Sequence, residues 1–226
     1  MMRLLSVNVS QPKAVSDGAK IITTGIFKQP VEARVQLRTL NLDGDGQADL
    51  KNHGGPHRAA YAYSIENYDF WKRELGRNDF SYGQFGENFT VEGMLEETVH
   101  LGDIFQIGGA RVQVSEPRVP CVKLALKMSM ATFPKRFLAS ERVGFYLRVL
   151  QEGEVGAGDP IERVATDPEQ MTVRAFLHLA YFDEGNLEGV RRALRIVSLP
   201  PDWREWLEEV LVKSNATAAR KGNCCA

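Results

Sequence analysis

Asp103-Ile-Phe-Gln-Ile107 and Ala110-Arg-Val-Gln-Val-Ser115 are two short runs rich in β-branched and aromatic residues, separated only by Gly108-Gly109. In the second run Ala110, Val112 and Val114 alternate with polar neighbours, the period of a strand with one buried face. The glycine pair supplies the backbone freedom of a chain reversal. Working outward, the same texture recurs at Leu4–Val9, Ala19–Phe27, Ala59–Tyr63, Asn88–Val91, Phe145–Leu150 and Ile161–Val164. Gly, Pro, Asp and Asn clusters divide these runs, among them Gly156-Ala-Gly-Asp-Pro160. Many short strands with few helices predict a mainly β fold, a closed or nearly closed barrel.

Two peripheral helices interrupt the strands. One starts at an N-cap Ser64, carries Ile65, Tyr68, Trp71 and Leu75 at helical spacing, and stops at Gly76. The other covers about Ala131 to Ser140. After Asp167-Pro168 the period changes from 2 to 3.6. Thr172 caps a helix through Val173, Phe176, Leu177 and Ala180, and Asn186 caps a second with Leu187, Val190 and Leu194. Ser198-Leu-Pro-Pro-Asp202 opens a third, with Trp203, Leu207, Val210 and Leu211 on one stripe. Each is too short to stand alone, so the three are expected to pack on one another or on the barrel. The division expected is a barrel over residues 1–165 and a small three-helix domain over 166–226, its tail from Ala216 frayed.

Composition bounds the function. The 226 residues carry 28 Lys+Arg against 29 Asp+Glu, a net charge of −1, so no global field favours nucleic acid or anionic lipid. Hydrophobic residues at 43% suit an ordinary globular core. No run of 18 apolar residues predicts a membrane span. The opening MMRLLSVNVSQP is too short an apolar run for a signal peptide, and three cysteines, two of them adjacent at Cys224-Cys225, make no disulfide framework. The expected location is the cytoplasm.

Several familiar motifs fail. Asp43-Gly-Asp-Gly-Gln-Ala-Asp49 lacks the glycine and glutamate of a calcium loop, no glycine pair leads into Gly-Lys-Ser/Thr, and Gly44-Asp-Gly46 lacks the third glycine of a dinucleotide fingerprint. His53-Gly-Gly-Pro-His57 spaces two imidazoles four apart, but its glycines and proline forbid the helix of a zinc protease. It reads either as a turn whose histidines make hydrogen bonds, or as backbone opened to an anion beside Arg58. Ser115-Glu-Pro-Arg-Val-Pro-Cys121 is the most informative stretch: two prolines fix the chain around one cysteine, and Arg118 and Lys123 supply charge that favours a thiolate. By spacing alone Cys121 could equally be a small buried hydrophobe.

The ordered set Leu42–Asp49, His53–Ala60, Phe85-Gly-Glu-Asn-Phe89, Gly102–Phe105, Ser115–Leu124, Gly144–Val149 and Gly158-Asp159 resembles the MOSC domain family. That family is named from the C-terminal domain of molybdenum-cofactor sulfurase, and the likeness is nearest its YiiM-like branch, associated with resistance to N-hydroxylated purines and bearing a three-helix extension. Each motif is weak alone; their order over roughly residues 3 to 164 is specific. The resemblance implies a barrel that binds the molybdenum cofactor, Mo-molybdopterin, with Cys121 as metal ligand. It implies cofactor contacts at Lys13, Arg58, Asn88, Ser115, Arg118 and Cys121, with Cys121 and His53 at the catalytic centre; His53 and Asp49 could instead support their loop. The implied activity is reduction of N-hydroxylated bases or amines to the amines. Cys121 has no spaced cysteine partners for an iron–sulfur cluster and no flavin fingerprint appears, so electrons come from a separate reductase protein. The alternatives are a sulfur carrier with a persulfide on Cys121, or a non-catalytic carrier of the cofactor.

Overall fold

The computed structural model describes residues 1–16, 18, 20–49, 54–183 and 185–222. Strands β1 (Met2–Val9), β6 (Ala60–Ser64), β7 (Phe89–Glu92), β8 (Ile104–Ile107), β9 (Ala110–Pro117), β10 (Phe145–Gln151) and β12 (Pro160–Ala165) form the barrel. Their order is β12-β8-β9-β10-β6-β7-β1, and β1 pairs back onto β12 through Met2↔Ile161 and Arg3↔Pro160, closing the ring. Closure removes the exposed edges that an open sheet would present. The Gly108-Gly109 reversal joins β8 to β9 as an antiparallel pair, Ile107 opposite Ala110. Among the described residues only β6 and β7 pair in parallel, which requires a long crossover. Helix α1 (Ile65–Leu75) lies in that crossover and ends on Gly76 in the left-handed region, φ 62°.

The remaining strands are short and lie outside the ring. Strand β4 (Gln29–Val31) extends the sheet from β1, β2 (Lys13–Ser16) pairs with β3 (Ile21–Thr24), and β5 (Val35–Leu37) pairs with β11 (Gly153–Val155). Of the run expected as one strand over Ala19–Phe27, the described residues are strand from Ile21 to Thr24. At Gly25 the chain passes so close to a second loop that a Cβ would stand 2.4 Å from the Gly46 carbonyl oxygen, and Phe27 turns under Lys13 and Lys127. Helix α2 (Val122–Met128) was not expected from the sequence, although Leu124 and Met128 share its buried face. Helix α3 (Phe133–Ala139) falls within the second expected helix.

Two apolar clusters hold the molecule. The first fills the barrel with Leu4, Phe89, Val91, Phe105, Val112, Val114 and Leu147, and continues without a break into the C-terminal helices α4 (Val173–Tyr181), α5 (Leu187–Leu194) and α6 (Pro201–Gly222) through Val173, Phe176, Val190, Ile196 and Leu207. Thr172 and Asn186 cap α4 and α5 by accepting from Ala175 N (3.0 Å) and Gly189 N (2.8 Å), the caps read from the sequence. Backbone hydrogen bonds from Val173 N to Val99 O and from Arg174 N to Glu96 O tie α4 to the barrel. The second cluster is aromatic: Tyr61, Tyr63, Tyr68, Trp71, Phe85, Phe133 and Phe137 pack α1, α2 and α3 against one side of β6. No helix among the described residues is long and apolar enough to cross a membrane.

Candidate functional site

Strand β9 decides where the site lies. It ends at Pro117, and Arg118 to Cys121 link it to α2. Arg118 N donates to Gly144 O at 3.2 Å. Gly144 can be only glycine, since φ is 68° and a Cβ would meet Ala62 O at 2.4 Å. Arg118 is carried inward, 4% exposed, with its guanidinium 5.3 Å from the ring centre of Tyr61 and 5.4 Å from that of Phe137. Cys121 is half-buried at the N-cap of α2, close enough to Arg118 for their charges to interact.

Both residues line a cleft with Thr24, Gly25, Ile26, Lys28, the segment 45–49, Arg58, Tyr61, Gly86, Asn88, Lys123 and Tyr146. The Asp43–Asp49 stretch forms one wall. Asp43 remains exposed and binds Arg38. Asp45 is drawn in instead: its carboxylate accepts from Lys28 Nζ at 2.6 Å, Ser10 N at 2.8 Å and Asn88 Nδ2 at 2.9 Å. Burial holds the Lys28 ammonium below its usual pKa, and Asp45 opposes that shift. Asn88 also accepts from Tyr61 N at 3.1 Å, so it anchors Asp45 to β6. The preceding Glu87 is fully buried and gathers its loop by accepting from Gly83 N, Phe85 N, Thr90 Oγ1 and the Tyr68 hydroxyl. This brings Gly86 and Asn88 to the cleft.

The opposite wall begins at the turn Pro56–Arg58. Arg58 donates Nε to Glu116 Oε1 (2.8 Å) and Nη2 to Glu116 Oε2 (3.0 Å) and Asp202 Oδ2 (3.0 Å). Glu116 is 2% exposed; burial raises its pKa, against the hydrogen bonds and charge of Arg58 and the indole N–H of Trp203. The single Ser115 hydroxyl proton lies between two carbonyl acceptors, His57 O (2.6 Å) and Tyr146 O (3.1 Å), fastening the turn to β10. Burial, then Arg148, depresses the His57 pKa, keeping the imidazole neutral to lower pH than usual.

Electrostatically the cleft is uneven. Among the described residues Lys28, Arg58 and Lys123 each face a carboxylate, the last at 3.7 Å from Asp49. Among the described residues no carboxylate pairs with Arg118, and its Nη1 is buried without a hydrogen bond to any of them. A buried cation with an idle donor is costly unless a ligand completes it.

Of the residues expected at the site, the structure brings together Arg58, Asn88, Arg118 and Cys121. Ser115 lies behind the wall and Lys13 is exposed on β2, its ammonium 4.8 Å from the Phe27 ring centre and outside the lining. His53, Cys224 and Cys225 lie outside the described residues. Lys28, Glu116, Tyr61, Tyr146 and Lys127 were not foreseen. Asp45 could have been found from Leu42–Asp49 and Tyr146 from Gly144–Val149, but Lys28 carries no local signal of a site.

Lys127 latches α2 to the cleft wall by donating to Ile26 O at 3.0 Å and Gly83 O at 2.6 Å. Burial lowers its pKa to about 8, with Glu87 opposing and Lys28 and Lys13 adding to the shift. Its folded pKa is therefore below the ordinary 10.5, so the unfolded chain binds more protons between these values and this group's contribution to stability improves as pH rises from about 8 towards 10.5. Denaturant unfolding from pH 7 to 10 should show the parent gaining roughly 1–3 kcal/mol relative to Lys127→Met. A pH-independent difference would place the titration elsewhere.

The barrel, its helical extension and this cleft match a known class. Residues 49–162 match the MOSC domain model, and the chain belongs to the MOSC domain family. It is 41% identical over 201 residues to YflK of Bacillus subtilis, covering 89% of this chain and 90% of that one. The crystal structure of YiiM from Geobacillus stearothermophilus superimposes with a TM-score of 0.80 at 34% identity, covering 93% of this chain and all of that one. A longer Gibberella moniliformis protein named a reductase is 34% identical over 161 residues, 70% of this chain and 28% of its own length.

Proposed function

We propose that the cleft holds a molybdenum–pterin cofactor and reduces N-hydroxylated bases or amines to the corresponding amines, with electrons delivered by a separate reductase protein. The observation that carries this reading is the pairing of Arg118 with Cys121: a buried guanidinium with an idle donor, and beside it a thiol in a proline-fixed turn. Among the described residues no trio of His, Cys, Asp or Glu is arranged to hold a metal. A single thiolate suits a metal that brings ligands of its own, as a pterin-bound metal does. The kinship with a reductase supports the reaction class.

The residues divide the work. Cys121 would supply the thiolate ligand. Arg118 would meet an anionic group of the cofactor with charge-assisted hydrogen bonds, in a wall that also presents Arg58. Tyr61 and Tyr146, their rings 5.6 Å apart, give the cleft an apolar flank for a planar ligand. The bound cofactor supplies the electron pair that breaks the N–O bond; with two protons the oxygen leaves as water and the amine remains.

The test is the molybdenum and pterin content of the full chain made in a cofactor-competent host, followed by a reductase-coupled assay on N-hydroxylated bases. Near-stoichiometric metal and pterin with turnover supports the proposal. Cofactor without turnover would make the protein a carrier, and a persulfide on Cys121 without pterin would make it a sulfur carrier.

A further inference from the structure

The C-terminal helices share a core with the barrel, and at one point they also reach a residue of the cleft. The first turn of α6 presents Asp202 and Trp203 to the Arg58–Glu116 pair. Asp202 Oδ2 accepts from Arg58 Nη2 at 3.0 Å, and Trp203 Nε1 donates to Glu116 Oε2 at 2.8 Å. The same Oε2 accepts from Arg58 Nη2, so one carboxylate oxygen is shared between a cleft residue and the helix. Trp203 is itself fixed by edge contacts with Phe176 on α4, 5.0 Å, and Trp206, 5.8 Å.

This arrangement has a physical consequence. Glu116 is buried, its carboxylate is held by donors from Arg58 and Trp203, and Arg58 takes its orientation from Glu116. The Arg58 side chain is 18% exposed and Asp202 63% exposed, so Asp202 draws on the guanidinium from the solvent side while Glu116 holds it from inside. The guanidinium is planar and its donors lie in a fixed fork, so these bonds set its plane, and Arg58 is one of the residues that line the cleft.

We propose that Asp202 and Trp203 are positioning residues for the cleft: from the helical extension they set the orientation of the Arg58–Glu116 pair, and through it the anion-recognising wall of the site. The proposal deepens the cofactor reading above and rests on it for the identity of the ligand. The extension is then part of the site's construction rather than a cover over the barrel.

Two readouts test it on the full-length chain. The first needs no cofactor: hydrogen exchange of the Arg58 Nε–H by nitrogen-15 NMR, assigned by its loss in Arg58→Lys. Trp203→Phe should speed that exchange roughly tenfold, the equivalent of losing one hydrogen bond to a charged group. Asp202→Asn, an exposed change that leaves folding intact, should speed it roughly two- to fivefold, and Asp202→Glu should restore it. Glu209→Gln, farther along the exposed face of α6, is the control. The second readout is molybdenum and pterin retained per chain after gel filtration, which should fall in the same order. Unchanged Arg58 exchange in both variants overturns the proposal, even if Trp203→Phe lowers the thermal midpoint. Changed exchange with parental cofactor retention also overturns it, because the orientation would then not matter to the wall. A parental chain that retains no cofactor instead defeats the cofactor reading, and Arg58 exchange still decides the positioning role.

Discussion

Protein carrying Cys121→Ser is expected to fold like the parent and, under the proposed function, to lose the molybdenum that the parent would bind. The thiol is half-buried at the start of α2, where serine is nearly isosteric and a better N-cap, so unfolding should move by no more than about 1 kcal/mol. Serine is a poor ligand for a soft metal centre, so retained molybdenum and reductase activity should fall by more than the roughly 10–100-fold typical of losing a supporting partner of a ligand. Cys224→Ser combined with Cys225→Ser should leave both unchanged. Metal analysis beside a coupled assay checks this, and parental metal content in Cys121→Ser would remove the ligand assignment.

Arg118→Met should separate stability from function. Methionine keeps the length and packing of the aliphatic stem between Tyr61 and Phe137 but removes a buried charge that faces no carboxylate among the described residues. The loss of two cation–aromatic contacts works against the variant by about 1–2 kcal/mol, while relief of an incompletely bonded buried cation works for it by about 1–4 kcal/mol. The expected unfolding free energy is therefore equal to the parent's or higher. Cofactor retention should instead weaken by roughly 10–150-fold, the value of a hydrogen bond to a charged group. Denaturant midpoints and retained pterin, measured on the same preparations, decide it. A large loss of stability with unchanged retention would make Arg118 a structural residue. This is the pattern of a site that costs the free fold something and is completed by its ligand.

The sequence carried much of this and missed identifiable parts. The strands that close the barrel were legible because each has its own alternation or β-branched texture between turn residues, as at Ala110–Ser115. The short β4, β5 and β11 were not, since three residues are too few to show a period. Helix α2 was masked by the prolines before it, which drew attention to the turn at Cys121 and away from Leu124 and Met128. Arg58, Asn88, Arg118 and Cys121, which sit in motifs, line one cleft. Lys28 lies outside those motifs, and Tyr146, inside Gly144–Val149, was not singled out because a Tyr in a strand looks the same whether it meets solvent or a cleft.

What the sequence determined by itself is therefore local: the strand texture, the caps at Thr172 and Asn186, the glycine stops, and the proline-fixed turn that displays one cysteine. Each depends on neighbours within a few residues, where backbone sterics and hydrogen bonding dominate. Which cations are satisfied was decided only by the tertiary structure. Lys28 meets Asp45 across 17 residues, Arg58 meets Glu116 across 58 and Asp202 across 144, while Arg118 meets aromatic faces and no carboxylate among the described residues. Charge pairing at such separations follows from barrel closure and from the docking of α6, and no local pattern encodes it, because a Coulomb interaction depends on distance in space and on burial rather than on distance along the chain.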